Sequence, residues 1–326
     1  ILIGVLKAFL DMPPGWRHRV KIKGGEAFGR SITSKGDTVC GLYSMGNIVY
    51  FTFSEDNGFT WHDTIRVKVT PYVIYPSSTF PKLLIDNYNN LYIVCHARDA
   101  SNLLHVAVFK SSNFGLNWNV IRTIPLNDGN TVWADLYPPN HIHIAYDNLD
   151  TVGYDHYDIY YTYSLNGGDT WISVEMPHSL SDSSYLRYPR IIADKEENIY
   201  FLYEEMKLSP PTQRNFLRKW SNGWGAPIPF GADWATRLIW VEQNRMMRAD
   251  LITPNKLHFV YSFQAGWNSY LCYYMKYENG NFSTPDTIFS TLNVTASDFV
   301  VDSNIIMVIG GGPSGILHYA YSIDEG

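Results

Sequence analysis

Short runs in which apolar and polar residues alternate follow one another along the chain, each closed by a cluster of Gly, Asn, Asp or Pro. Alternation with a period of two predicts strands, and the punctuating residues predict tight turns between them. His143 and His258 alternate with apolar neighbours in such runs, which makes them packed strand residues rather than ligands. Tyr146, Tyr203 and Tyr261 hold one shared place in successive runs and are assigned to packing. Asp86 and Asp194 precede Asn90 and Asn198 in tight turns and are given a structural role.

The runs recur as a unit: two alternating strands, a third leading into a short signature, and a fourth after it. The signature reads Ser54-Glu55-Asp56-Asn57-Gly58-Phe59-Thr60-Trp61, then Ser112-Asn113-Phe114-Gly115-Leu116-Asn117-Trp118, then Ser164-Leu165-Asn166-Gly167-Gly168-Asp169-Thr170-Trp171. Its tryptophans lie 57 and 53 residues apart, the length of one four-stranded supersecondary unit, so the chain is a repeat architecture. Degenerate copies stand at Ser221-Asn222-Gly223-Trp224 and Glu278-Asn279-Gly280-Asn281-Phe282. With these, Gly58, Gly115, Gly168, Gly223, Gly280 and Gly326 are spaced by 57, 53, 55, 57 and 46 residues, which makes six units. Internal matches support that register: Ala134-Asp135-Leu136 with Ala249-Asp250-Leu251, and Pro81-Lys82-Leu83 with Pro189-Arg190-Ile191.

Within the signature, Asp or Asn folds back to accept backbone N–H groups and Gly supplies a positive φ. Asp56, Gly58 and Trp61, Asn113, Gly115 and Trp118, and Asn166, Gly168 and Trp171 are therefore structural. The pattern Ser-x-Asp-x-Gly-x-Thr-Trp, complete in the first copy and with Asn at the Asp place in the others, resembles the Asp-box of the sialidase-like β-propellers. The resemblance implies an all-β fold: a six-bladed β-propeller of four-stranded antiparallel blades, one domain over residues 1–326. The last unit ends at Ser322-Ile323-Asp324-Glu325-Gly326, the start of another box without its fourth strand. Gly15-Trp16-Arg17-His18-Arg19-Val20-Lys21-Ile22 reads like a strand that follows a box. Either the chain is a fragment at its C-terminal end or something else completes that turn; residues 15–22 are expected to complete the last blade, which would remove two sheet edges.

Composition narrows the partners. Hydrophobic residues make up 45% and charged residues 17% of the 326, enough apolar content for a substantial core. The 24 tyrosines favour strands and suit sugar-stacking surfaces. The net charge is −6 and no basic run appears, which argues against nucleic acid, since phosphate binding needs a concentrated positive field. Cys40, Cys95 and Cys272 sit in apolar runs without metal spacing and read as buried thiols. Neither a metal nor a cofactor is expected. No stretch reaches the roughly 20 apolar residues of a membrane helix; the apolar residues 1–10 read as a strand or the tail of a secretion signal.

In propellers of this resemblance the boxes lie on one face, and the loops between strands two and three gather with the inter-blade connections on the other. Here the second set is enlarged, at residues 98–102, 148–158, 205–215, 264–268 and 231–247, and long loops on a rigid scaffold concentrate function. Aligning the units places His96, Asp147, Glu204 and Ser262 together at the end of the second strand. Arg30, Lys82 and Arg190 fall at the start of the first strand. Carboxylates, a histidine and cations converging in a concave mouth describe a catalytic or binding pocket. Asp147, Glu204 and His96 are the catalytic candidates. Arg98, Lys82, Arg190 and Glu205 are substrate-binding candidates, with Trp133, Trp234, Trp240 and Trp267 as stacking platforms.

The expected partner is a carbohydrate or glycoconjugate, met in a secreted, cell-surface or periplasmic location. Sialidases hold the substrate carboxylate with three arginines and use a Tyr–Glu nucleophile, with an early Arg-Ile-Pro motif. The nearest segment here reads Phe28-Gly29-Arg30-Ser31-Ile32, and Arg248 is the last arginine of the chain. No sialidase catalytic residue carries over, and sialidase activity is not expected. Four readings stay open. A glycoside hydrolase would use Asp147 and Glu204 as its carboxylate pair. A polysaccharide lyase would use Arg98, Arg190, Lys82 and His96 to neutralise a uronate and supply a base. A binding or adhesive module would use the same mouth without chemistry, and a structural repeat scaffold would use no mouth at all.

Overall fold

The computed structural model describes residues 32–45, 48–75, 81–129, 131–137, 139–150, 156–172, 184–194, 198–208, 211–221, 223–230, 248–253, 256–266, 269–289, 295–302, 305–311 and 317–323. These residues contain strands and no helix, and the strands fall into six antiparallel sheets that follow chain order. The first sheet is β1 (Ile32–Lys35), β2 (Thr38–Met45), β3 (Ile48–Ser54) and β4 (Ile65–Arg66). The second contains β5 (Val73–Ile74), β6 (Lys82–Ile85), β7 (Leu91–Arg98), β8 (Leu104–Ser111) and β9 (Asn119–Pro125); β5 and β6 both pair with β7 as two halves of an interrupted first strand. The third is β10 (Val132–Tyr137), β11 (His141–Asp150) and β12 (His156–Ser164). The fourth is β13 (Ser184–Ala193), β14 (Ile199–Leu208), β15 (Pro211–Trp220) and β16 (Ile228–Phe230). The fifth is β17 (Arg248–Thr253), β18 (Lys256–Gly266), β19 (Ser269–Glu278), β20 (Asn281–Phe282) and β21 (Asp286–Phe289), the last two sharing one edge of β19. The sixth is β22 (Thr295–Asp302), β23 (Ile305–Gly311) and β24 (Leu317–Ser322).

Each sheet packs face to face on the next, which is the arrangement of a β-propeller. Leu42 and Phe51 of the first sheet share a core with Leu83, Ile93 and Phe109 of the second. The other face of the second sheet, through Leu84, Val94 and Val108, packs on Ala134, Ile142 and Ile144 of the third. The series continues from Ala145, Ile159 and Tyr161 to Ile191, Phe201 and Tyr203, then from Ile192 and Leu202 to Leu257 and Phe259. It ends with Val260 and Cys272 against Ile306 and Val308. Neighbours in sequence, such as Leu83 and Leu84 or Ile191 and Ile192, serve opposite interfaces because successive strand residues point to opposite faces. Middle strands covered on both faces therefore read as continuous apolar runs rather than alternating ones, as in Leu91–Ala97 of β7, all of it buried.

The repeated turn has one hydrogen-bond scheme. In the first copy the Ser54 hydroxyl donates to Asp56 Oδ1 (2.7 Å) and accepts from the Gly58 N–H (2.8 Å). Asp56 also accepts from the Thr60 N–H and hydroxyl (2.8 and 2.6 Å), and these bonds lower its pKa to about 2. Trp61 Nε1–H donates to Gly58 O at 3.0 Å, and Trp171 repeats the bond to Gly168 O. In the second copy the serine in this role is Ser111, not Ser112: its Oγ accepts from Gly115 N–H at 2.9 Å and donates to Asn113 Oδ1 at 3.0 Å. Its Trp118 packs edge-on against Phe51 and leaves Nε1 without a partner among the described residues.

Three expectations need correction. The segment Glu278–Phe282 is not a degenerate box. Glu278 pairs with Asn281, and Asn279 and Gly280 both have positive φ (52° and 88°), so it is a two-residue hairpin of the Asn-Gly kind. Residues 205–215 are not an enlarged loop: β14 and β15 stay paired out to Leu208 and Pro211. The described residues of 264–268 and 148–158 also belong to hairpin strands, with Gly266 paired to Ser269 and Asp150 to His156. Polar residues that project beyond the body of a sheet read as loop although they are strand. Residues 15–22, and most of the segment expected to hold the fourth strand after Trp171, lie outside the described residues.

Candidate functional site

Strand register places the candidate residues on one level. The box serines Ser54, Ser111 and Ser164 pair with Val39, Leu91 and Ile142 of the second strands. Five residues further along those strands come Ser44, His96 and Asp147, and all three are buried. In the fourth sheet Ile199 pairs with Trp220, and five residues on stands Glu204, also buried. Ser262 holds the matching place in β18. One step closer to the boxes, Val94, Ala145, Leu202 and Val260 pair with Lys82, Trp133, Arg190 and Arg248 of four successive first strands.

Trp133 is the centre of that second level. Lys82 Nζ lies 4.7 Å and Arg190 Cζ 4.4 Å from its ring centroid, and all three side chains are buried. Cations over an indole face are attracted by the ring quadrupole. The ring therefore packs against two cations instead of offering an open platform to a sugar.

Asp147 ties three elements together. Its Oδ1 accepts the Thr131 N–H at 2.8 Å and its Oδ2 the Tyr188 N–H at 3.4 Å, across to the next sheet. Tyr188 has φ +55°, unusual for an aromatic residue, and sits in a bulge of β13 between Arg187 and Arg190. Bulges beside functional sites re-aim side chains. Asp135 makes a similar inter-sheet bond, accepting Ala193 N–H at 3.0 Å.

The connection from β9 to β10 closes over this level. Asn127 N–H donates to Asn148 Oδ1 (2.9 Å), Leu149 N–H donates to Asp128 O (3.0 Å) and Asp147 N–H to Thr131 O (3.1 Å). Asp128 also accepts the Gly129 N–H (2.8 Å) and the Tyr157 hydroxyl (3.0 Å). Gly129 is packed so tightly that a Cβ there would lie 3.0 Å from Asp147 O and 3.4 Å from His96 Cε1. His96 is thus roofed over. Its two ring nitrogens have no hydrogen-bond partner among the described residues, and burial lowers its pKa to about 4, with Asp128 opposing the shift. From the next sheet, Arg187 lays its guanidinium over Tyr157, 4.4 Å from the centroid, with Tyr185 at 5.4 Å.

The remaining candidates are nearby or undescribed. Arg98 donates from Nη1 to Asn102 O at 2.8 Å and lies 5.0 Å from the Tyr75 ring, so it braces its own hairpin. Glu205 pairs with Lys207 at 3.5 Å. Trp234, Trp240 and Trp267 lie outside the described residues. Sequence reasoning missed Ser44, Asp128, Tyr157, Arg187 and Tyr188. Of these, only the Asp128-Gly129 turn dipeptide carried a local signal. The packed histidines are as expected: His143 Nδ1 meets the Tyr161 hydroxyl at 2.8 Å and His258 Nδ1 that of Tyr274 at 2.6 Å.

Two buried histidines make stability depend on pH. His96 and His143 have pKa values lowered by burial from 6.5 to about 4 and about 3. The unfolded chain then binds more protons than the folded one below pH 6.5, so stability is full above that value and falls as pH drops toward 4. The expected loss by pH 5 is roughly 1–2 kcal/mol per ring. Urea midpoints at pH 7.5 and 5.0, for the parent and for His143→Gln, check this; equal midpoints for the parent at both pH values would refute it.

No protein-family model matches the chain, and no curated protein matches it in sequence. Solved structures do match in fold. The GH93 α-L-arabinofuranosidase of Fusarium graminearum, in complex with arabinobiose, is 13% identical over 91% of this chain and 96% of its own, with a TM-score of 0.55. The α-L-arabinanase of Penicillium chrysogenum, also complexed with arabinobiose, is 11% identical over 92% and 98%, with a TM-score of 0.55. A polysaccharide lyase is 9% identical over 94% of both chains, with a TM-score of 0.52. These neighbours are carbohydrate-active propeller enzymes, and at such identities the likeness is one of fold.

Proposed function

We propose that this protein is a glycan-processing enzyme acting at the end of the sheets where the second strands finish. The observation that supports the proposal is strand register, which sets His96, Asp147 and Glu204 at one level of three successive sheets, with Arg187 stacked on Tyr157 beside them. The fold shared with carbohydrate-active enzymes supports it. Glu204 is assigned the acid/base role, because Asp147 already spends both carboxylate oxygens on the backbone amides of Thr131 and Tyr188 and so acts by holding the Tyr188 bulge. His96, neutral near pH 7, serves as an uncharged donor or acceptor beneath the mouth. Lys82, Arg190, Arg98 and Glu205 shape the binding surface, with Trp133 supporting the two cations. Trp234, Trp240 and Trp267 are the stacking platforms of this proposal.

The same proposal includes a single domain closed as a six-bladed ring, with residues 15–22 as the outer strand of the blade holding β24, in a sialidase-like Asp-box lineage. Six sheets packed in chain order and three shared box turns support it. A glycan substrate fits a secreted or cell-surface location. A binding module without chemistry is the second reading, favoured by the occupied carboxylate of Asp147.

Turnover assays on arabinan, galactan and uronate polymers, reading both new reducing ends and unsaturated uronate, test the proposal. New reducing ends with a saturated product indicate hydrolysis, and an unsaturated product indicates elimination. Binding of a glycan with neither signal would leave the binding module as the function.

A further inference from the structure

Resting on the glycan reading, we propose that Arg187 is the recognition residue for a carboxylate on the sugar, so that the substrate is a uronate-containing chain. The Arg187 side chain is half-buried, and its guanidinium Cζ lies over the Tyr157 ring, 4.4 Å from the centroid. Tyr157 is itself fixed by its hydroxyl bond to Asp128 at 3.0 Å. The strand that carries Arg187 is set by the Tyr188 bulge, whose amide is bound to Asp147. The cation therefore rests on two tyrosine rings, Tyr157 and Tyr185, and it has no hydrogen bond or ion pair with any described residue.

Among the described residues, none pairs with its charge. Asp128 accepts from Gly129 and Tyr157, and Asp147 accepts from Thr131 and Tyr188. Glu204 is the register partner of Arg187 across the strands but forms no ion pair with it. Arg187 Nε is buried without an acceptor among the described residues, which leaves the terminal Nη groups as the donors that a ligand would meet. A guanidinium braced against two rings, with donors that no described residue answers, fits a planar acceptor that takes two parallel bonds, which is what a carboxylate offers. Lys82 and Arg190 add positive charge one level deeper, favouring an anionic sugar over a neutral one.

The test is calorimetric titration of the full chain with oligogalacturonate, alginate and hyaluronan oligosaccharides, each against its carboxyl-reduced counterpart. At least one uronate chain is expected to bind about 10-fold or more tightly than its reduced form, as loss of a charged hydrogen bond implies. Arg187→Gln is expected to erase that difference, and Arg187→Lys, which keeps the charge without the fork, to retain only part of it. The parent comparison needs no variant, and unfolding midpoints of both variants identify any that fail to fold. Equal binding of the charged and reduced chains overturns the inference, as does discrimination that survives in a folded Arg187→Gln protein. Binding of arabinan or galactan oligosaccharides with none of the uronates overturns it while the glycan reading stands. No binding to any chain overturns both.

Discussion

Glu204→Gln is expected to lower turnover by about 10²–10⁴-fold, the usual contribution of a positioned acid or base, while glycan affinity stays within a few-fold of the parent. Gln keeps the shape of Glu and removes the charge and the titratable proton. Glu204 lies midway along β14, buried between Arg187 of β13 and Asn215 of β15 in register, so the isosteric change should leave the packing of the sheet intact. Steady-state rates and calorimetric affinities measured on one preparation separate the outcomes. Loss of rate with retained binding supports the catalytic assignment. A change confined to affinity, by about 1–3 kcal/mol for a lost charged hydrogen bond, supports the binding module. Undiminished turnover would show that the acid/base group lies elsewhere.

The largest expected stability effect belongs to a turn far from that mouth. Gly115 has φ +79°, and a Cβ there would lie 2.3 Å from Phe51 Cδ1 in the preceding sheet. Gly115→Ala therefore combines the left-handed backbone cost of about 1–2 kcal/mol with overpacking of about 1–3 kcal/mol, for an expected loss of about 3 kcal/mol. Gly58 supplies the control, because its φ of +85° is similar but the nearest atom to its Cβ position, Trp61 Cζ2, is 3.8 Å away. Gly58→Ala should cost only the backbone part. Urea unfolding of the two variants decides; equal losses would mean that the box glycine does not pack against the neighbouring sheet.

The repeat was legible because a turn is local chemistry. Ser, Asp or Asn, and Gly at fixed offsets make the box wherever they occur, and the Asp86 and Asp194 turns follow from the same kind of rule. Asp86 accepts from Tyr88, Asn90 and Tyr92, and Asp194 from Asn198 and Tyr200. Strand offset from the boxes was enough to align His96, Asp147 and Glu204. The contents of the mouth were less legible because they depend on what the neighbouring sheet brings. That Trp133 packs beneath Lys82 and Arg190 is set by three different sheets. Arg187 was hidden by the Tyr188 bulge, since a two-residue irregularity breaks the period on which alignment relies. Ser111 was passed over for Ser112 because two serines stand side by side where the turn needs one.

The central claim is that glycan is met at the end of the sheets bearing Glu204 and Arg187, and a crystal structure of the protein soaked with arabinan, galactan and uronate oligosaccharides tests it most directly. The account predicts sugar density within hydrogen-bonding distance of Arg187 and Glu204. Density confined to the opposite face, against the turns of Asp56, Asn113 and Asn166, would contradict it.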